Sequence, residues 1–238
     1  MSVIALIPAR SGSKRCVNKN VRKLNGIPLL AYSINCSKKS DLINKTFIVT
    51  DSQEYESIAL DYGAESIGIR PEYTATDIST DFDWIKWFID TYQDIDENDL
   101  IYILRPTNPF RNTALITEAY EIIKSTKADS VRGVELCKQH PYKAWIMNED
   151  KKFMLPFSSN FINSKPAHSV QYKSLPPVYI QNGCLELFYV SNLKKFDNFS
   201  GYRISPLIIE GYLGFDINYE EDFLMAELLL KESKIDLD

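Results

Sequence analysis

The sequence predicts an α/β protein built on a doubly wound, mostly parallel sheet. Two observations carry that expectation. Short apolar runs alternate with helix-length amphipathic stretches over the first 135 residues, the pattern of successive βαβ units. A basic turn containing Ser and Gly then follows the first apolar run, at the carboxyl end of a strand, where open α/β sheets bind ligands. Right-handed crossovers between parallel strands put helices on both faces of such a sheet. A chain of 238 residues, 45% hydrophobic and 25% charged, fits one domain spanning residues 1–238 with its own core.

Taken in order, residues 3–9 (VIALIPA) read as a buried strand and residues 10–20 as a polar, basic loop. Residues 28–37 (PLLAYSINCS) read as a helix with proline in its first position. Residues 46–50 (TFIVT) are strand-like and run into Asp51-Ser52, a helix-cap signal, so residues 53–62 read as a helix. Residues 64–69 read as a short strand, 81–92 as a helix, 100–104 (LIYIL) as a buried strand, 113–125 as a helix and 129–135 as a strand. The rhythm then breaks. Residues 138–177 are rich in Lys, Asn, Ser, Pro and aromatics and lack helical periodicity, which reads as an inserted arm. Strand character resumes at 178–179, 184–190 and 202–209, and residues 220–231 read as a closing helix.

Composition excludes several classes. A net charge of −5 argues against nucleic acid as a partner. The four cysteines, Cys16, Cys36, Cys137 and Cys184, show no CxxC spacing, so neither a zinc nor a redox motif is indicated. They read as free thiols, and with no leader-like segment and no apolar run of spanning length the expectation is a cytoplasmic protein away from membranes. The distribution of charge says more than its sum. Residues 1–40 contain no Asp or Glu yet carry Arg10, Lys14, Arg15, Lys19, Arg22, Lys23, Lys38 and Lys39. Acids gather near the other end as Glu210, Asp216, Glu220, Glu221 and Asp222. On charge alone the two regions read as two solvated surfaces; the alternative is that they are halves of one site, an anion cradle and a metal holder.

The basic turn reads Ile7-Pro8-Ala9-Arg10-Ser11-Gly12-Ser13-Lys14-Arg15, followed by Asn18-Lys19-Asn20. Gly12 and two serines let backbone approach a phosphate, and Arg10, Lys14 and Lys19 add charged donors. Neither GxxxxGK[ST] nor GxGxxG occurs here, so the turn is neither of those phosphate loops. Asp216 and Asn218 stand two apart on an extended segment, which points both oxygens to one side and suits a hard cation shared with phosphate. A helix-capping role near Glu220 is the alternative. His140 and His168 have no evident nucleophile partner.

The turn resembles the N-terminal signature of the acylneuraminate cytidylyltransferases, and the resemblance continues in order along nearly the whole chain. Its later pieces are Val49-Thr50-Asp51-Ser52, Arg70-Pro71 with Asp77, Leu104-Arg105-Pro106-Thr107-Asn108-Pro109-Phe110-Arg111, Leu175-Pro176-Pro177-Val178-Tyr179 through Asn182-Gly183, and Asp216-Ile217-Asn218. The resemblance implies a Rossmann-like nucleotidyltransferase core with a small dimerisation arm, in which residues 138–177 also act as a lid over the sugar site. It implies transfer of a cytidylyl group from CTP to a nonulosonic sugar acid, with Mg²⁺ or Mn²⁺ as cofactor and a homodimer as the assembly. It places Arg10 and Lys14 in the catalytic role. Ala9, Arg10, Ser11, Gly12, Ser13, Lys14, Lys19, Asn20, Arg70, Asp77 and Arg105 would line the nucleotide. Arg111, Lys173 and Asn182 would line the sugar, and Asp216 and Asn218 the metal.

Three departures from the pattern stand out. Asn218 occupies a position where the family usually has Asp, Arg105 one where many members have Gln, and Gln171-Tyr172-Lys173 one where many have an Arg-Gln pair. They leave open a transferase using another nucleotide or sugar acid, or a non-catalytic binder of nucleotide sugars. The arm carries Tyr142, Trp145, Phe153, Phe157, Phe161 and Tyr172, and exposed aromatics mark interfaces.

Overall fold

The computed structural model describes residues 1–232 and residue 235. Its main elements are β1 (Val3–Pro8), α1 (Leu29–Lys39), β2 (Lys45–Val49), α2 (Gln53–Asp61), α3 (Asp81–Thr91), β3 (Leu100–Ile103), α4 (Thr113–Thr126), β4 (Ser130–Leu136), β5 (Tyr179–Tyr189), α5 (Ser191–Phe196), β6 (Ile204–Ile208) and α6 (Glu220–Lys231). Six strands form one sheet in the order β6-β4-β5-β3-β1-β2. β1 runs parallel to β2 and β3, and β6 parallel to β4. Only β5 is antiparallel to its neighbours. The reason is connectivity. No helix crosses back between β4 and β5, so the chain turns through the arm at one edge of the sheet and must return in the opposite sense.

Alternation along β1 divides the core in two. Val3, Ala5 and Ile7 meet Leu30, Ile34, Leu115 and Ile116, so α1 and α4 cover one face. Ile4 and Leu6 meet Trp84, Ile85 and Phe88 of α3 on the other. α6 closes one end, with Phe223 and Ala226 against Leu24, Leu29, Tyr32 and Phe110.

Three expectations are corrected in detail. Residues 64–69 form no strand; Glu65 alone bridges to Phe47. The backbone N–H of Gly68 bonds to the Ser66 hydroxyl at 2.9 Å, a local bond that competes with sheet pairing. Pro28 is not the first helical residue. It ends a ribbon, Lys23–Leu24 with Ile27–Pro28, turned by Asn25 and Gly26 at φ 48° and 81°, the left-handed pair an Asn-Gly hairpin favours. Residues 178–179 and 184–190 belong to one strand, β5, whose register shifts between Gln181 and Glu186. The arm is a separate small structure. Trp145–Met147 pairs with Met154–Pro156, and Phe161–Ile162 with Lys165–Pro166, joined by short turns.

Candidate active site

A cleft of about 640 Å³ opens at the carboxyl ends of β1 and β3, lined among others by Arg10, Ser13, Lys14, Arg15, Lys19, Arg70, Asp77, Asp81, Trp84, Arg105, Thr107 and Asn218. Sheet architecture explains the gathering. Parallel strands end on one side, so the loops after β1 and β3 and the segment before α3 meet there.

The basic loop divides its residues between shaping and facing. Ala9 is buried and its N–H bonds to the carbonyl of Val49 at 3.0 Å, extending the pairing of β1 with β2. The N–H and hydroxyl of Ser11 both donate to the Asp51 carboxylate at 2.7 Å. Gly12 turns the chain at φ 71°, a conformation other residues adopt at a cost. Asn20 is buried and donates to the carbonyl of Arg10 at 3.1 Å. Ala9, Ser11, Gly12 and Asn20 therefore build the loop, while Arg10, Ser13, Lys14 and Lys19 line the cleft.

The cations are not idle. One Arg10 nitrogen, Nη1, reaches the carbonyl of Thr76 at 3.0 Å and the Asp77 carboxylate at 3.1 Å, and the Lys14 ammonium bonds to the same carboxylate. Lys14 above all, and Arg10 with it, hold the Asp77 carboxyl below its ordinary range. Lys19 donates to the carbonyl of Ile217 at 2.6 Å, tying the basic loop to the Asp216 segment. Burial pushes its ammonium below the usual value, against the pull of Asp216.

Arg70 is 4% exposed, and its buried Nε has no hydrogen-bond partner. Burial pushes its pKa down, opposed by Asp51. An orphaned guanidinium donor at a cleft wall suits a polar ligand. Arg105 is engaged differently. It bonds to Asp81 at 2.6 Å and Glu186 at 2.7 Å, and Arg132 reaches Glu186 at 3.3 Å. Burial opposes the charge on both Asp81 and Arg105, yet their pairing prevails: Asp81 lies below its ordinary value and Arg105 well above. The four side chains form a neutral quartet, of which Asp81 and Arg105 line the cleft.

The sugar-side expectations fare less uniformly. Arg111 does not line the cleft; it is 3% exposed and donates to the carbonyls of Cys184 (2.6 Å) and Arg105 (3.1 Å) and the hydroxyl of Ser33 (3.1 Å). It braces the loop after β3 against β5. Asn182 sits in the register shift of β5, where its side-chain oxygen accepts from the N–H of Cys184 at 3.1 Å and its amide lies 3.5 Å from Glu135. Lys173 is exposed in the short turn Tyr172–Ser174 and is not among the residues of the cleft.

Asn218 lines the cleft and donates to the Asp216 carboxylate at 2.6 Å. The cap of α6 falls instead to Asp222, which accepts from the N–H groups of Asn218 (2.8 Å) and Tyr219 (2.9 Å). The capping alternative for Asp216 and Asn218 is thus taken by another residue. Among the described residues no cluster of three or more His, Cys, Asp or Glu side chains could hold a metal alone.

Sequence reasoning missed Asp81, Glu186, Arg132 and Asn108. Asn108 is fully buried and donates to the carbonyls of Asn182, Gly214 and Phe215 at 3.4, 3.3 and 3.2 Å, pinning the segment that leads to Asp216 to the loop after β3. A buried charge in a strand, Glu186 within CLELF, was the available signal.

A family profile described as Cytidylyltransferase matches residues 4–172. The chain is 29% identical to the post-translational flagellin modification protein B of Campylobacter coli, covering 98% of this chain and 97% of that protein. It is also 29% identical to the CMP-N,N'-diacetyllegionaminic acid synthase of Legionella pneumophila, over 97% of each chain. A solved structure of CMP:2-keto-3-deoxy-manno-octonic acid synthetase with CTP superposes with a TM-score of 0.70 at 10% identity, over 98% of this chain and all of that one. At that identity the likeness concerns the fold.

Proposed function

Because the chain belongs to the cytidylyltransferase family, we propose that it transfers a cytidylyl group from CTP to a nonulosonic, sialic-acid-like sugar acid, yielding a CMP-sugar and pyrophosphate. The observation that carries this reading is the set of cations from the loop after β1, Arg10, Lys14 and Lys19, facing one cleft at the carboxyl edge of the sheet. The full-length likeness to a legionaminic acid synthase supports a nonulosonate as acceptor.

In this reading a sugar hydroxyl attacks the α-phosphorus, a new P–O bond forms, the bond to the β-phosphate oxygen breaks, and the hydroxyl proton is released. Negative charge grows on the departing pyrophosphate, and fixed donors aimed there supply the acceleration. Arg10 and Lys14 meet that charge, with Ser13 beside them. Arg70 lines the cleft on the nucleotide side, and the quartet around Arg105 holds the floor rigid. A pyrophosphate-release assay with each nucleoside triphosphate and with sialic, legionaminic and pseudaminic acids is the test. Release with CTP and one of these acids is expected; release only with another nucleotide contradicts the reading.

Asp216 and Asn218 fit a hard divalent cation, Mg²⁺ or Mn²⁺. The Asp216 carboxylate is the charged donor, and Asn218, whose amide N–H donates to it at 2.6 Å, would present its own oxygen on turning; such an ion takes its other ligands from phosphate and water. When bound, the cation would neutralise charge on the phosphates. Asn218→Asp adds a charge there, so the Mg²⁺ concentration giving half-maximal activity is expected to fall. Activity that survives excess EDTA, in wild type and variant alike, contradicts the metal assignment.

The arm supports a homodimer. Phe153 is 73% exposed, Leu155 70% and Phe161 66%, with Phe157 and Trp145 exposed beside them. Apolar surface of this extent gains roughly 25 cal/mol per Å² on burial. Light scattering at micromolar protein is expected to give twice the chain mass of 27.4 kDa. Shortening residues 144–166 to a tight turn is expected to give a folded monomer. A monomeric wild type contradicts the dimer.

A further inference from the structure

Two of the cations that would receive a polyphosphate are already occupied by one exposed carboxylate. Asp77 bonds to Arg10 at 3.1 Å and to Lys14, and Arg10 also donates to the carbonyls of Thr76 (3.0 Å) and Ala75 (3.4 Å). These contacts join residues more than sixty positions apart, so residues 75–77 lie as a strap across the basic loop. The strap holds its shape without Asp77. The N–H of Thr76 donates to the Ser79 hydroxyl at 2.9 Å, the Ser79 N–H to the Thr76 hydroxyl at 3.1 Å, and the Ser79 hydroxyl to the carbonyl of Tyr73 at 2.7 Å. The Asp77 side chain is half exposed, and the Lys14 side chain more so. A carboxylate there could have faced solvent, yet it points back onto the cations.

We infer that Asp77 is an internal competitor for the polyphosphate: it occupies Arg10 and Lys14 when the cleft is empty, gives them up to a triphosphate, and reclaims them to help expel pyrophosphate. The inference rests on reading the cleft as a triphosphate site. Its electrostatics are simple. One carboxylate brings one negative charge to two cations, whereas a triphosphate brings several, and Coulomb attraction scales with the product of charges. The exchange therefore favours the polyphosphate, but the pairs it breaks weaken binding. Exposed ion pairs are individually weak, which keeps the competitor displaceable. A CMP moiety has only an α-phosphate, so it does not supply the β- and γ-oxygens that displace Asp77. Pyrophosphate, once cut from CMP, is held through these cations and is the species a returning carboxylate opposes.

The test is titration calorimetry of wild type, Asp77→Asn and Asp77→Ala with pyrophosphate, CTP and CMP, each at fixed Mg²⁺. Both variants are expected to bind pyrophosphate and CTP roughly three- to tenfold more tightly, the range two exposed pairs support, and CMP within about twofold of wild type. Pyrophosphate is correspondingly expected to become a stronger product inhibitor. Unchanged or weaker binding of pyrophosphate in both variants overturns the inference, and weaker binding would mean that Asp77 organises the cations or carries the metal. Equal tightening of CMP also overturns it. The pyrophosphate arm needs no cytosine, so a wild type that binds pyrophosphate but not CTP refutes the cytidylyltransferase reading and leaves the competitor role to be decided by the variants.

Discussion

Lys14→Ala is expected to lower kcat by about 10²–10³-fold while the KM for CTP moves far less. Loss of one preorganised electrostatic donor at a site of developing charge typically has this size. Lys14 is exposed, lines the cleft, and its ammonium meets Asp77 there. The ground state is buffered. Removing Lys14 takes away an attraction for the triphosphate and also one of the two pairs that the triphosphate must break. The transition state has no such offset, because the charge on the leaving pyrophosphate grows after the exchange is complete. Steady-state kinetics over CTP at saturating sugar acid make the measurement. A raised KM with unchanged kcat would reduce Lys14 to a ground-state anchor.

Glu186→Ala is expected to cost about 3 kcal/mol of folding stability, near the lower end of what losing one partner of a buried ion pair costs. The Glu186 side chain is 3% exposed and serves Arg105 and Arg132, whose side chains are 26% and 21% exposed. Those two guanidiniums keep some access to water, which sets the effect at the lower end. The substitution leaves Arg105 with Asp81 alone and Arg132 without an acid. It also opens a void beside Phe188 and the loop after β3. Urea unfolding followed by circular dichroism gives the change. Glu186→Gln keeps the shape and removes only the charge, so its loss should be smaller. A loss below about 1 kcal/mol for Glu186→Ala would mean that solvent replaces the carboxylate.

Local signals carried most of the secondary structure. The apolar run at Leu100–Ile103 and the Ser52 cap of α2, whose hydroxyl accepts from the N–H of Tyr55 at 3.4 Å, are read from neighbouring residues and were legible as such. So was the break in rhythm at the arm. The segment 64–69 misled because its composition suits a strand, while a serine-to-backbone bond and the need to carry Arg70 to the cleft drew it off the sheet. The small helix α5 (Ser191–Phe196) was hidden by its brevity.

The site divides in the same way. Cations clustered within eleven residues of one another announce an anion site, because a short loop after a strand can only place them together. What their side chains touch is a long-range matter. Arg105 and Arg111 stand six apart in a single motif, yet one meets Asp81 and Glu186 and the other carbonyls of Cys184 and Arg105. Both lie in the loop after β3, and nothing in the flanking residues, Leu104 and Pro106 for one and Phe110 and Asn112 for the other, says which acid or carbonyl each will meet. Asp77 likewise reads as a nucleotide-side residue in the motif, and the fold turns it onto Arg10 and Lys14. By itself the sequence determined the α/β order, the basic turn at the end of β1 and the family. The tertiary structure alone decided which charges are free to meet a substrate and which are already neutralised, because charge pairing depends on distance in space, and the partners here lie 24 to 81 residues apart along the chain.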